Sequence, residues 1–278
     1  MKKDCYLHVE PNVKIHYYDE GTGRPLVFIP GWMFNCDVFE KQFAYFSKIY
    51  RCIAMDPRSQ GKSSITEKKN SYVQQGDDIH SLIDHLKLNN VVLIGWSFGA
   101  IACWNYLEKF GFEKISGSVT IDNSPRSITD DEKEYRAGTI DGLRKDHQNS
   151  LCSDKAFRQF MGGFADQLLY ENKMDPEYRQ ELIDSACNTP CEIADILYVD
   201  GWLSDKREIV HKIDNTIPSL LYIANYRKKT GVPYMKKEYP NTEIHAFGMH
   251  MMFNEYPDKF NEILENFIRN KIESQSLS

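Results

Sequence analysis

Gly95-Trp96-Ser97-Phe98-Gly99 lies between the apolar run VVLI and a helix-forming stretch, and that setting makes the pentapeptide informative. A serine there occupies a strained strand-to-helix turn, with glycines where helix and strand pass closely. The turn carries the Ser97 hydroxyl over the carboxyl edge of a sheet, and the helix start behind it offers N–H groups and partial positive charge to an oxyanion. A hydroxyl is a poor nucleophile until an imidazole takes its proton, and the imidazole needs a carboxylate on its other nitrogen. Of eight histidines, His250 alone falls in a loop after a late strand, at the edge where Ser97 emerges. His245 sits inside the strand EIHAF, His80 and His85 in the helix before Ser97, and His8 and His16 in an N-terminal hairpin, so these read as structural.

The elements that must position these residues follow from periodicity. YLHVEPNVKIHYYD alternates around a Glu-Pro-Asn turn as a half-exposed hairpin does. PLVFIPG, YRCIAMDPRSQG and NVVLIGWS are apolar runs ending in turn residues, which marks strands buried on both faces of a mostly parallel sheet. Ile79, Leu82, Ile83 and Leu86 stripe one face of DDIHSLIDHLKL, an amphipathic helix. A helix through AIACWNYLEKFG and the strand ISGSVTID come next. From Asn123 to Ser204 the chain is polar and helical in tendency, with breaks expected at Gly162, Gly163, Pro176 and Pro190. Strands return at IPSLLYIAN and TEIHAFG, followed by a helix striped by Phe260, Ile263, Leu264, Phe267 and Ile268. The fold class is therefore α/β: residues 1–122 and 205–278 form one sheet with its flanking helices, and 123–204 form a helical insertion between the sixth and seventh strands.

Composition narrows the classes of function. The 278 residues carry 34 Lys and Arg against 40 Asp and Glu, a net charge of −6, which argues against nucleic acid as a partner because phosphates need a basic face. No uncharged apolar run approaches a membrane span, and MKKDCYLHVE has charges but no apolar core behind them, so a soluble, unprocessed chain is expected. The seven cysteines are odd in number, and Cys187 and Cys191 lack a second pair to complete a zinc site. Buried thiols in a reducing compartment, the cytoplasm, are the expectation, with no metal and no cofactor.

With the pentapeptide in place, the chain resembles the α/β-hydrolase fold family over nearly its whole length, least so in the insertion. PGWM, DPRSQGKS, the turn Asp122-Asn123-Ser124-Pro125 and GMHMMFNEYP carry the likeness, the last with Glu255 and Pro257 spaced after His250 as is frequent in that family. The resemblance implies that His250 is the general base. The family's acid usually follows the seventh strand, yet Ala224-Asn225-Tyr226-Arg227-Lys228-Lys229 holds no carboxylate. Some members carry the acid after the sixth strand, which implies Asp122; its other reading is a residue bonding the Asn-Ser-Pro turn. Asp200 and Asp205 come too early, and Asp205 resembles a structural acid. The likeness also implies an oxyanion hole from the N–H groups of Trp32 and Phe98, the insertion as a cap, and Asp56, Arg58 and Gly61 as loop scaffolding.

Met33, Phe34, Trp96, Met249 and Met251, with Phe160 and Phe164 around the Gly pair of the insertion, are expected to make an apolar, adaptable pocket. The leading expectation is a serine hydrolase cleaving an ester or related acyl bond of a small, largely apolar substrate, a carboxylesterase-like enzyme. Two other readings stay open on the same fold: a cofactor-independent dioxygenase of quinolone-like substrates, and a ligand receptor without catalysis. Oligomeric state is not legible in the sequence.

Overall fold

Apolar runs that end in turn residues become the inner strands of a single sheet in the computed structural model, which describes residues 3–135 and 138–274. In chain order the elements begin β1 Cys5–Glu10, β2 Val13–Glu20, β3 Pro25–Ile29, α1 Glu40–Phe46, β4 Arg51–Met55, α2 Tyr72–His85, β5 Val91–Trp96, α3 Phe98–Phe110 and β6 Ile115–Ile121. Four helices follow: α4 Ile140–Asn149, α5 Asp154–Phe164, α6 Pro176–Ala186 and α7 Cys191–Leu203. The chain then continues through α8 Arg207–Thr216, β7 Ser219–Ile223, α9 Lys228–Glu238, β8 Glu243–Ala246, α10 Met252–Glu255 and α11 Pro257–Phe267. The strand order is β1-β2-β4-β3-β5-β6-β7-β8, with the β1–β2 and β2–β4 pairs antiparallel and every neighbour from β4 to β8 parallel. Every residue of β3, β5 and β7 is buried, as helices on both faces of a parallel sheet require.

Two helices differ from the reading of their sequence, each for a local reason. The second begins at Tyr72, earlier than its apolar stripe, because the Ser71 hydroxyl accepts the Gln74 N–H at 3.2 Å and the Asp200 carboxylate accepts that of Tyr72 at 2.8 Å. The expected break at Gly162-Gly163 does not occur. Both glycines lie in the last turn of α5, and the helix runs on through a π turn to Leu169. Their poor helix propensity, about 1 kcal/mol each, is outweighed by burial of Phe157, Met161, Ala165 and Leu169 on the helix's inner face. Pro176 and Pro190 do mark ends, at the first position of α6 and just before α7.

The stretch between β6 and β7 leaves and rejoins the sheet at one place, where Arg126 pairs with Asp205 and the Lys206 N–H meets the Pro125 carbonyl at 2.7 Å. Its helices rest on the carboxyl end of the sheet. The Trp32 indole donates to the Ala194 carbonyl at 2.8 Å, Asn35 donates to the Ser185 hydroxyl at 2.9 Å, and the N–H groups of His250 and Met251 reach the carbonyls of Leu168 and Leu169 at 3.0 and 2.9 Å.

Away from that end, His16 ties the N-terminal hairpin to the loop after β4. It is fully buried, its Nδ1 lies 2.8 Å from Asp56 and its Nε2 lies 2.9 Å from Asp4. A ring facing a carboxylate at each nitrogen can donate at both only as the imidazolium, so the surroundings of His16 favour that form. Burial opposes that charge, but the Asp56 and Asp4 bonds outweigh it and raise the His16 pKa above its ordinary value. Asp56 also accepts the N–H groups of Cys36 and Lys62, and Arg58 forms a two-pronged buried pair with Asp78.

Candidate active site

Ser97 sits between β5 and α3 with φ 51° and ψ −131°, a conformation that side chains other than glycine adopt only under constraint. Close packing supplies the constraint. A Cβ on Gly95 would lie 2.5 Å from the Ala100 Cα, and one on Gly99 2.4 Å from the Pro30 carbonyl, so only glycines permit the turn. The Ser97 N–H is anchored to the Ile121 carbonyl at 2.8 Å. Phe98 opens α3, so its N–H is among those that have no partner inside the helix. The loop after β3 runs beside the serine: a Cβ on Gly31 would stand 3.0 Å from that of Ser97, which puts the Trp32 backbone next to it.

At the end of β6, next to β5 in the sheet, Asp122 is fully buried with φ 47°. Its carboxylate takes four hydrogen bonds: from His250 Nδ1 at 2.6 Å and the Tyr226 hydroxyl at 3.0 Å on Oδ2, and from the Ala224 N–H at 2.9 Å and the Tyr135 hydroxyl at 3.1 Å on Oδ1. Burial alone would raise this carboxyl. The His250 bond, the Arg227 and His250 charges and the Ala224 N–H together outweigh it, and Asp122 is held well below the usual carboxylate range. His250 is 5% exposed, and its carbonyl accepts the Trp96 indole N–H at 2.9 Å. With Nδ1 committed to Asp122, Nε2 is the ring nitrogen left to accept a proton.

Ser97, His250 and Asp122 border one cavity of about 400 Å³. Trp32, Phe34, Phe98, Phe160, Phe164, Leu168, Tyr198 and Trp202 supply its apolar wall, and Asn123, Asp146, Gln167, Tyr226 and Arg227 its polar one. Of the side chains expected to form the pocket, Phe34, Phe160 and Phe164 line it, whereas Met33, Trp96, Met249 and Met251 do not. Met33 has a positive φ of 64° and is buried away from the cavity, with its N–H on Gln60. Trp96 lies behind the wall, fully buried against the rings of Phe34, His250 and Phe253. Met249 and Met251 flank the imidazole, and neither joins it on the wall: Met251 is fully buried and Met249 stays partly exposed. Tyr135, Tyr226 and Arg227 escaped the sequence reading. The missing carboxylate in the turn after β7 is the one signal that pointed toward the last two, since that turn now supplies partners to an acid on the neighbouring strand.

Comparison with known proteins bears on the fold that carries these residues. Residues 24–180 match the family model described as alpha/beta hydrolase fold. A putative non-heme chloroperoxidase of Synechocystis sp. is 26% identical over 270 residues, covering 92% of this chain and 95% of that protein. A pimeloyl-[acyl-carrier protein] methyl ester esterase of Legionella pneumophila is 26% identical over 272 residues, covering 92% and 100%. Among solved structures, a bromoperoxidase from Bacillus anthracis superposes with a TM-score of 0.86 at 21% identity, covering 96% of this chain and all of that one. An esterase from Exiguobacterium antarcticum gives 0.83 at 22%, with the same coverage. At such identities the structural likeness speaks to the fold.

Proposed function

The chain belongs to the alpha/beta hydrolase fold family, and from that membership we propose that it is a serine esterase for a small, largely apolar ester, working through Ser97, His250 and Asp122. The observation that carries the reading is the 2.6 Å contact between His250 Nδ1 and Asp122 on the wall of the cavity that Ser97 shares. The Ser97 oxygen attacks the ester carbonyl carbon while its proton passes to His250 Nε2. The N–H groups of Trp32 and Phe98 receive the oxyanion. Collapse breaks the bond to the alkoxy oxygen, which takes the proton from the imidazolium and leaves as alcohol. Water, deprotonated by the same nitrogen, then attacks the acyl-enzyme, and the acid departs with Ser97 restored. Asp122 holds the imidazole in the required tautomer and stabilises its charged form.

Residues 123–204 act in this reading as a cap over the core formed by 1–122 and 205–278, and its Phe160, Phe164 and Tyr198 give the substrate an aromatic surface. The names of relatives that are esterases support the assignment. The names of those that are haloperoxidases favour one second reading, in which hydrogen peroxide takes the place of water at the acyl-enzyme and yields a peracid. Among the described residues no helix is long and apolar enough to cross a membrane. The cysteines are free thiols, four of them buried, which suits a reducing compartment such as the cytoplasm. A fluorophosphonate probe is expected to label the protein and not its Ser97→Ala variant; equal labelling of both would remove Ser97 from the mechanism.

A further inference from the structure

Two polar groups on the cavity wall have no part in the steps above. Arg227 is half-buried, with the ring centres of Tyr226 and Tyr135 at 5.1 and 5.9 Å from its guanidinium carbon. Among the described residues it forms no ion pair with a carboxylate. Asp122, whose charge it feels, already has its acceptor positions filled by His250, Tyr226, Tyr135 and Ala224. The second group is Asn123, 3% exposed, which borders this cavity and a smaller one beside Pro125 and Val210, and whose Nδ2 is buried with no partner. Buried amide donors are rarely left without an acceptor, because the loss of water goes uncompensated. A guanidinium with no carboxylate bonded to it and an amide without an acceptor, on one cavity wall, suit a single acidic ligand.

We propose that Arg227 and Asn123 form a subsite for a carboxylate on the substrate, so that the preferred ester carries a free acid group, as a monoester of a dicarboxylic acid does. The guanidinium fork fits a planar carboxylate on two parallel bonds, with its face kept on the tyrosine rings. A doubly charged phosphate fits less well, since the Asp146 carboxylate borders the cavity too. The remaining apolar wall receives the carbon chain. This inference rests on the esterase reading for the word substrate, while the binding itself does not require Ser97 to react.

The test uses the Ser97→Ala protein and isothermal calorimetry with monomethyl adipate and dimethyl adipate. The monoester is expected to bind about tenfold or more tighter than the diester, the range of one or two hydrogen bonds to a charged group. Adding Arg227→Met should bring the two within about twofold, and Asn123→Ala should weaken the monoester alone, as loss of a single charge-assisted bond does. Equal affinities in the Ser97→Ala protein, or a preference untouched by Arg227→Met, would overturn the subsite and leave Arg227 as a residue that merely steadies Asp122. Should Arg227→Met fail to fold, Arg227→Lys and Asn123→Ala decide, and full preference in both overturns the proposal. If the monoester binds as expected and the unmutated protein hydrolyses neither ester, the esterase reading falls and the subsite stands.

Discussion

Asp122 shows how much one side chain depends on its neighbours. Fully buried, it would be neutral in an apolar pocket, yet four donors and the nearby Arg227 keep it ionised. The sign follows: a carboxyl lowered on folding stabilises the native state above its ordinary value of 3.8, and that contribution is lost only as pH falls through the lower folded value. Asp122 therefore stays charged wherever an esterase assay is practical. Asp122→Asn should lower kcat by about three to four orders of magnitude through the wrong imidazole tautomer, while thermal melting still shows a folded protein. An unchanged rate would release Asp122 from the reaction. Ser97 and His250 are legible in sequence because a strand, a pentapeptide and a helix follow one another, and because a single histidine stands in a late edge loop. Tyr226 lies 104 residues from Asp122, and nothing in local pattern announces that its hydroxyl arrives there.

At the level of elements, the turn from β5 into α3 is set by contact distances more than by propensity. Gly99→Ala would place a methyl group 2.4 Å from the Pro30 carbonyl and 2.5 Å from that of Ile29. The loop carrying the Trp32 N–H must then retreat from Ser97. Overpacking of this kind costs on the order of 1–3 kcal/mol, so the urea midpoint should fall, and kcat should fall with it. A variant with unaltered midpoint and rate would show that the loop yields freely. The inner strands are read correctly from sequence because burial on both faces leaves an apolar run that tolerates little else. Helix ends are harder. The start of α2 depends on Asp200, distant in the chain, and the persistence of α5 through two glycines depends on what its inner face buries.

For the molecule as a whole, the N-terminal hairpin adds a pH dependence unrelated to catalysis. His16 gains its proton's partners on folding, so its pKa is raised above 6.5 in the native state. The stabilisation is fully present below pH 6.5 and is lost as pH rises through the higher folded value. Urea midpoints should decline over that range in the unmutated chain, and His16→Gln should flatten the decline; parallel slopes would remove the imidazolium from the account. The mostly parallel sheet is legible because short apolar strands alternate along the chain with helices that cover them; its spatial order, with β4 between β2 and β3, is a property of the fold and not of that alternation. The insertion itself is read from sequence as the cover, but how residues 123–204 are seated is not, since those contacts join groups far apart in the chain, as Glu255 does in accepting the N–H groups of Glu171 and Asn172.

Those contacts converge on one loop. The backbone of His250 and Met251 hangs from the carbonyls of Leu168 and Leu169, and Glu255 holds Glu171 and Asn172 just beyond the π turn. Anyone grafting a relative's covering helices onto this scaffold to change its appetite would therefore be replacing the bracket of the histidine as well. Residues 165–172 belong with the recipient, and the interchangeable cassette begins only beyond them.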